Sequence, residues 1–327
     1  MSHSPPAWLT GVPLPVGEGE LRAVLLAARA GGALDLPHPG DGGTLRRWLA
    51  LAELSAIDLG MGRLAEAHTD AVSILAELNG PPADGLWGVW AAEPPNARVE
   101  ARRDREQWLL RGAKGWCSGA RVLDAALVTA HADDGRRLFA VDVRGLPVVD
   151  GSWAAVGMAS SGSVTVQLRD VPAVPVGGPG AYLDRAGFWH GGGGVAACWY
   201  GGALGAARVL LAAARATPRD PHALAHLGAV DAILAGLAAH LSVAAHQIDA
   251  DPKGPGAQLR AVRLRARVEA GASEVLDRVG RALGAGPLCL DRVHAQRAAD
   301  LPVYLRQSHA ERDLAGLGEL AARDASW

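Results

Sequence analysis

The sequence contains little cysteine and has no excess of either charge, and each shortage excludes a class of protein. Its three cysteines lack any CxxC spacing, which argues against a disulfide framework and against a zinc site. The net charge of −2 and the charged fraction of 20% leave no basic excess that would attract nucleic acid. We therefore expect a protein of a reducing compartment that does not bind nucleic acid.

Signals for export and for membrane insertion are also missing from the sequence pattern. The first residues, MSHSPPAWLTGVPLP, lack a basic segment followed by an apolar stretch. No later segment is an uninterrupted apolar run of membrane-spanning length. The sequence therefore predicts a soluble, cytoplasmic protein without a membrane partner.

The hydrophobic periodicity changes twice along the 327 residues. Between Gly19 and Gly80 apolar residues return every three or four positions, which indicates helices. Between Leu86 and Val176 short apolar runs such as WGVWAA and RLFAVDV alternate with polar, glycine-bearing turns, which is typical of strands. Long amphipathic helical patterns follow. The sequence predicts an α+β fold with an N-terminal helical domain (1–85), a middle β domain (86–176) and a C-terminal four-helix bundle (177–327).

One stretch, GAKGWCSGA at 112–120, carries residues that an ordinary turn does not need. It lies between the apolar runs at 108–110 and 124–130, so we interpret it as a hairpin-like turn between two strands. Turn chemistry favours glycine, asparagine or proline, not the consecutive Trp116, Cys117 and Ser118. Trp116 either covers the end of a sheet or belongs to a binding site.

Three motifs, taken in order, resemble those of the acyl-CoA dehydrogenase family of flavoproteins. They are Glu93-Pro94 at the end of a strand, the Gly-x-Lys-x-Trp segment that begins at Gly112, and Arg169-Asp170-Val171-Pro172-Ala173-Val174-Pro175. The resemblance covers most of the chain from about residue 50. It implies an acyl-CoA dehydrogenase-like fold, an FAD-dependent oxidoreductase, a small-molecule substrate such as an acyl thioester, and a homodimer or homotetramer.

The resemblance also implies which residues contact the flavin. Trp116 would pack on the ring, while the Cys117 backbone and the Ser118 hydroxyl would donate hydrogen bonds to its reactive edge, because a flat cofactor needs an apolar wall and fixed donors. Arg219, in the first connection of the bundle, would reach the flavin across a subunit interface.

Other positions depart from the family's pattern or concern the substrate. At the adenine end the family's glutamine and glycine turn correspond to Arg281 and Gly284, and on the phosphate side a Gly-Ser-Asp-like stretch is replaced by residues 95–98. The segment 156–168 resembles the family's substrate-side strand. Ser160 is the residue expected beside an acyl thioester, and solvation of an outer strand face is the alternative.

The catalytic glutamate of the family is missing. Aligning Asp300 with the family's aspartate places Ser308 and His309 where Glu-Gly is expected, and a serine cannot act unaided as the base. His309 and His190 are candidate bases, because an imidazole titrates near neutrality.

Three functions therefore remain open. The first is an acyl-CoA dehydrogenase-like oxidoreductase with a diverged active site, and the second is a flavin-dependent monooxygenase that uses His309. The third is a non-catalytic binding or partner subunit that keeps the fold. We predict no metal site, because the histidines of the second bundle helix lack HExxH or Glu-x-x-His partners.

Overall fold

The computed structural model describes residues 7–216 and 220–324. The chain divides into two compact units. The first comprises residues 7–36, 64–155 and 159–188, and the second comprises residues 37–63, 156–158 and 189–324. Helices, strands and again helices follow one another in the predicted order, so the α+β class is confirmed. The three domain boundaries stay a prediction.

Within the described residues, three α-helices precede the strands: α1 (Glu18–Ala30), α2 (Thr44–Ile57) and α3 (Leu59–Glu77). They confirm the helical periodicity between Gly19 and Gly80. In α1 the buried residues recur at helical spacing, namely Leu21, Val24, Leu25 and Ala28.

Seven strands form one sheet: β1 (Trp87–Trp90), β2 (Val99–Asp104), β3 (Gln107–Cys117), β4 (Ala125–Ala132), β5 (Gly135–Asp142), β6 (Val148–Val149) and β7 (Val164–Val176). The strand order is β1-β4-β2-β3-β7-β5, with β6 paired to β7. Because β5 also pairs with β4, the sheet closes on itself. Ile74 and Leu75 of α3 pack on the buried face of the sheet beside Leu127 and Leu138.

The rest of the described chain is helical: α4 (Ala181–Asp184), α5 (Ala186–Ala216), α6 (Pro221–Ala250), α7 (Ala257–Leu283), α8 (Ala285–Leu290), α9 (Arg292–Leu305) and α10 (Glu311–Asp324). The glycine-rich start of α5 serves close packing, because a Cβ on Gly193 would lie 2.3 Å from the Trp48 indole of α2. A Cβ on Gly201 would lie 2.1 Å from the carbonyl oxygen of Ala52. Substitution at either position would force the two helices apart.

The last helix is not continuous, although its periodicity predicts one helix through YLRQSHAERDLAGLGELAA. The chain leaves the helical conformation after Leu305 and resumes it at Glu311. The Ser308 hydroxyl accepts a hydrogen bond from the Ala310 N–H, and Ala310 has a left-handed φ of 46°. This local hydrogen bond takes the place of a helical one, and the left-handed Ala310 separates α9 from α10.

Two helices, α5 and α6, are long and apolar enough to cross a membrane if only length and composition are considered. This differs from the expectation that no segment has such a character. In α5, 67% of the residues in the most apolar stretch are buried within the protein, so packing accounts for their composition. In α6 the corresponding share is only 22%, which leaves an exposed apolar surface.

Candidate functional site

The segment 112–117 lies within strand β3, so the predicted hairpin is wrong. β3 pairs with β2 and β7 and does not pair with β4, the strand that follows it in sequence. Because neighbouring strands in a closed sheet need not be consecutive in sequence, the two flanking apolar runs could not reveal this pairing. The register between β3 and β7 shifts between Lys114 and Cys117, which forms a bulge around Trp116.

The bulge turns Trp116 toward the surface. Its φ is 56°, a left-handed conformation that is uncommon for a bulky residue, and 55% of the residue is exposed. In the described part of the chain it is the only tryptophan that is exposed. Such backbone strain in a non-glycine residue costs roughly 1–3 kcal/mol and is found preferentially at functional sites. An exposed indole in a strained bulge is therefore a candidate binding surface.

Beside Trp116, three buried serines form a chain of hydroxyl groups, which we call the serine chain: Ser118, Ser163 and Ser161. The Ser118 Oγ lies 2.8 Å from the Ser163 Oγ, which lies 2.9 Å from the Ser161 Oγ. The backbone supports this arrangement, because the Gly119 N–H donates to the Ser161 carbonyl at 2.6 Å. The indole N–H of Trp90 donates to the Ser118 carbonyl at 3.0 Å.

Ser160 does not occupy a strand. It is half-buried in a 3-10 turn at Ala159–Ser161, and β7 begins only at Val164. Met158 and Gly162 have φ values of 57° and 51°, which interrupt an extended conformation. Sequence reasoning selected Ser160 and missed Ser161 and Ser163, whose hydroxyl groups are the ones linked to Ser118. Its place beside a substrate stays a prediction.

Cys117 is buried, and its thiol donates to the Lys114 carbonyl at 3.1 Å. Burial raises the pKa of this thiol to about 12, so it stays protonated near neutral pH. Its side chain is therefore unsuited to act as a nucleophile.

Lys114 forms the buried side of the same strand segment. Its Nζ donates to the carbonyl and hydroxyl oxygens of Thr129, at 3.0 and 2.8 Å. Burial lowers the pKa of Lys114 to about 8, although the nearby Glu93 carboxylate acts in the opposite direction. Glu93 itself forms an ion pair with Arg136 at 3.1 Å, and a carboxylate oxygen of Glu93 lies 3.3 Å from the His131 Nε2. These contacts join two of the sequence motifs, the Glu93-Pro94 turn and the Gly-x-Lys-x-Trp segment.

In the second unit, Ser308 and His309 lie in the connection between α9 and α10. Ser308 is buried, and its hydroxyl accepts from the Ala310 N–H at 3.2 Å. The side chain of His309 is 58% exposed, and its Nδ1 lies 3.3 Å from a carboxylate oxygen of Asp313. The other carboxylate oxygen accepts from the His309 backbone N–H at 2.9 Å. Asp313 thereby orients the imidazole. The Nε2 of His309 has no hydrogen-bond partner among the described residues.

A cavity of about 300 Å³ adjoins this connection within the second unit. Its wall includes Trp189 at the start of α5, Val262 and Arg265 of α7, Ser308, and Asp313 of α10. The Arg265 guanidinium is held over the Trp199 ring and donates to the Gly192 and Gln307 carbonyl groups. The cavity therefore has a fixed cation and an aromatic wall near Ser308.

The remaining predicted residues lie elsewhere. His190 is buried in α5, and its Nε2 lies 2.8 Å from the Pro252 carbonyl oxygen, a contact that ties α5 to the end of α6. Arg281 is exposed on α7 and lies 3.7 Å from Asp277, and Gly284, with a φ of 64°, joins α7 to α8. Arg219 lies outside the described residues.

Comparison with known proteins gives structural matches only. No family model and no curated protein matches the chain. The FMN-bound TdsC of Paenibacillus sp. A11-2, a dibenzothiophene monooxygenase, matches with a TM-score of 0.79 and 18% identity over 92% of this chain and 93% of that chain. Methanesulfinate monooxygenase MsuC of Pseudomonas fluorescens matches with a TM-score of 0.78 and 16% identity over 95% and 93%.

A third match is KijD3 in complex with FMN and dTDP-3-amino-2,3,6-trideoxy-4-keto-3-methyl-D-glucose. Its TM-score is 0.76, with 19% identity over 95% of this chain and 92% of that chain. Coverage of this extent confirms the acyl-CoA dehydrogenase-like fold. At these identities the likeness concerns the fold, and function has to be argued from the site residues.

Proposed function

We propose that this chain is a flavin-dependent oxidoreductase. The exposed Trp116 indole and the neighbouring Ser118 hydroxyl fit what a flavin ring requires, namely a flat apolar wall and a fixed polar group. The FMN-bound structures of TdsC and KijD3 support a flavin on this fold. A bound flavin would supply the electron transfer, while Trp116 covers the ring and Ser118 bonds its edge.

FMN is the flavin that we favour over FAD. The glutamine that the family uses at the adenine end corresponds to Arg281, an exposed residue whose nearest ionic partner is Asp277. FMN has no adenine and loses nothing by this replacement. The FMN bound in the TdsC and KijD3 structures also supports FMN over FAD.

Among the oxidoreductase reactions we propose monooxygenation, and the pairing of His309 with Asp313 carries this choice. The Ser308 hydroxyl bonds the Ala310 N–H and is not basic enough to remove a substrate proton, so α-proton abstraction lacks its base. His309, oriented by Asp313, has the arrangement of a proton-handling group held by a third residue. For this reaction a bound reduced flavin would supply the two electrons needed to place one atom of O₂ in the product and release the other as water. The chain binds and orients the substrate, and His309 moves a proton at Nε2.

The test combines two assays on purified protein reconstituted with FMN. In the first, NADH and a flavin reductase supply reduced FMN under ¹⁸O₂. Indole and dibenzothiophene are the probe substrates, because TdsC is a dibenzothiophene monooxygenase and one of its structures is a complex with FMN and indole. We expect a product that carries one ¹⁸O atom. Because general acid–base assistance is worth roughly 10²–10⁴-fold, the rate should fall by at least about 100-fold in His309→Gln. Ser273→Ala, an exposed helical position in α7, is the control variant.

In the second assay an acyl-CoA is added anaerobically to the oxidised holoprotein. We expect no bleaching of the flavin absorbance at the rate of a dehydrogenase. Rapid bleaching would overturn the monooxygenase assignment and favour the acyl-CoA dehydrogenase reaction. A chain that binds neither FMN nor FAD would overturn the oxidoreductase assignment and leave the non-catalytic partner subunit.

We also propose that the protein is a cytoplasmic homodimer or homotetramer. The exposed apolar surface of α6 includes Val243, which is 55% exposed, and burial of such a surface between identical subunits removes apolar area from water. A subunit interface also accounts for the apolar composition of α6 without a membrane. Cell fractionation that finds the protein in the membrane pellet would contradict this explanation.

A further inference from the structure

The serine chain has a property that a single hydroxyl lacks. Each serine hydroxyl carries one hydrogen, so in its bond with Ser163 the Ser118 hydroxyl either donates or accepts. If Ser161 donates to Ser163 and Ser163 donates to Ser118, the Ser118 hydrogen is left to point away from the chain. If the direction reverses, Ser118 donates to Ser163 and its oxygen is left to accept.

Both directions are compatible with the distances. The Ser118–Ser163 and Ser163–Ser161 separations of 2.8 and 2.9 Å suit O–H···O bonds whichever atom donates. All three residues are buried, so water is a poor substitute for a missing partner. Whether the Ser118 hydroxyl donates to Ser163 or accepts from it therefore depends on the group that it contacts outside the serine chain.

We propose that Ser163 is a positioning residue for the flavin, acting through Ser118. This inference rests on the proposed function, because it takes Ser118 as the contact to the flavin edge. Ser163 donates to Ser118 when the flavin edge offers an acceptor and accepts from Ser118 when the reduced edge offers an N–H. The chain therefore keeps Ser118 fully bonded in both redox states, and linked hydrogen bonds of this kind strengthen one another.

The alternative role is purely structural, since the same bonds join the end of β3 to the segment that leads into β7. A structural role predicts loss of stability upon removal of Ser163, with no dependence on whether Ser118 is present. A positioning role predicts that the effect on the flavin disappears once Ser118 has lost its hydroxyl. The two roles are therefore separable by a double-mutant cycle.

The experiment measures the dissociation constant of FMN and the visible absorption spectrum of bound FMN in four proteins: the unmodified chain, Ser118→Ala, Ser163→Ala and the double variant. We expect Ser163→Ala to weaken FMN binding about 5–10-fold, as for loss of one net hydrogen bond, and to shift the flavin bands. In the Ser118→Ala background the same change should have less than a twofold effect. Ser163→Thr keeps the hydroxyl and should restore both readouts.

Ser73→Ala is the matched control, because it removes another buried hydroxyl of the first unit, one that donates to the Thr69 carbonyl within α3. It should leave the spectrum and the dissociation constant unchanged. If Ser163→Ala does not fold, Ser161→Ala removes the far end of the same chain and should give the same spectral shift. Equal losses from Ser163→Ala with and without Ser118 would overturn the proposal while leaving the flavoprotein assignment intact. Failure of the unmodified chain to bind a flavin would overturn both.

Discussion

Replacing Trp116 by Ala is the most direct test of the flavin surface, and the exposed area of the indole determines the expected effect on binding. A tryptophan has about 250 Å² of side-chain area, so the 55% exposed fraction corresponds to about 140 Å². A ring lying on one face would cover about half of this, which at 25 cal/mol/Å² stabilises the complex by about 1.7 kcal/mol. Aromatic stacking adds roughly 0.5–1.5 kcal/mol. The total of about 2–3 kcal/mol predicts a dissociation constant raised about 30- to 150-fold.

The assay is a titration of the apoprotein with FMN, followed by quenching of flavin fluorescence. Trp116→Phe keeps a flat ring and should weaken binding by less than about tenfold. Trp153→Ala removes an equally large, partly buried indole from the loop between β6 and β7 and should leave the constant unchanged. A twofold change or less in Trp116→Ala would refute the reasoning and return Trp116 to a role at the end of the sheet. Each variant's unfolding free energy without FMN separates loss of fold from loss of binding.

Three further predictions concern charge, thiols and assembly. Below pH 8 Lys114 is charged in both the folded and the unfolded chain, and between pH 8 and 10.5 only the unfolded chain keeps this proton. The free energy of unfolding, measured with urea, should therefore rise by about 3 kcal/mol over this pH range. Lys114→Met should abolish that rise. A thiol reagent should modify one cysteine per native chain, the exposed Cys289, and all three after denaturation, and a second fast-reacting thiol would contradict the described burial. Val243→Glu should dissociate the oligomer in light scattering, whereas Val174→Glu, at a similarly exposed strand position, should not.

The architecture could be predicted from the sequence because the local spacing of apolar residues indicates whether each segment is a helix or a strand. Helical spacing before Gly80 and short apolar runs between Leu86 and Val176 report which face of each element is buried, and the structure confirms both. The pairing of the strands is not local. β3 pairs with β7, about 50 residues later, and no pattern within either strand identifies its partner.

The candidate site could be predicted only in part, because some of its contacts also depend on the pairing of distant strands. The motif from Gly112 to Gly119 drew attention to Trp116 and Ser118, yet Ser163 lies 45 positions from Ser118 in sequence and meets it only through the pairing of β3 and β7. Within the segment 156–168, two left-handed residues interrupt the strand, so alternation could not tell which serine points toward Ser118. The break before α10 was not predicted, because the apolar spacing continues across it and the left-handed conformation of Ala310 has no periodic signal.

The alignment of Ser308 with the family's catalytic glutamate stays a prediction, and it would make loss of one reaction compatible with retention of the fold. In that alignment a buried serine hydroxyl, which accepts from the Ala310 N–H before α10 begins, takes the place of a carboxylate base. The neighbouring His309 is exposed and oriented by Asp313, so a proton-transfer group remains one residue away from the lost base. Replacing Ser308 by Glu would therefore test two effects at once, since it restores a carboxylate but removes the short hydroxyl that bonds the Ala310 N–H. If acyl-CoA reduces the flavin of that variant while its stability falls, the diverged residue had exchanged a catalytic role for a structural one.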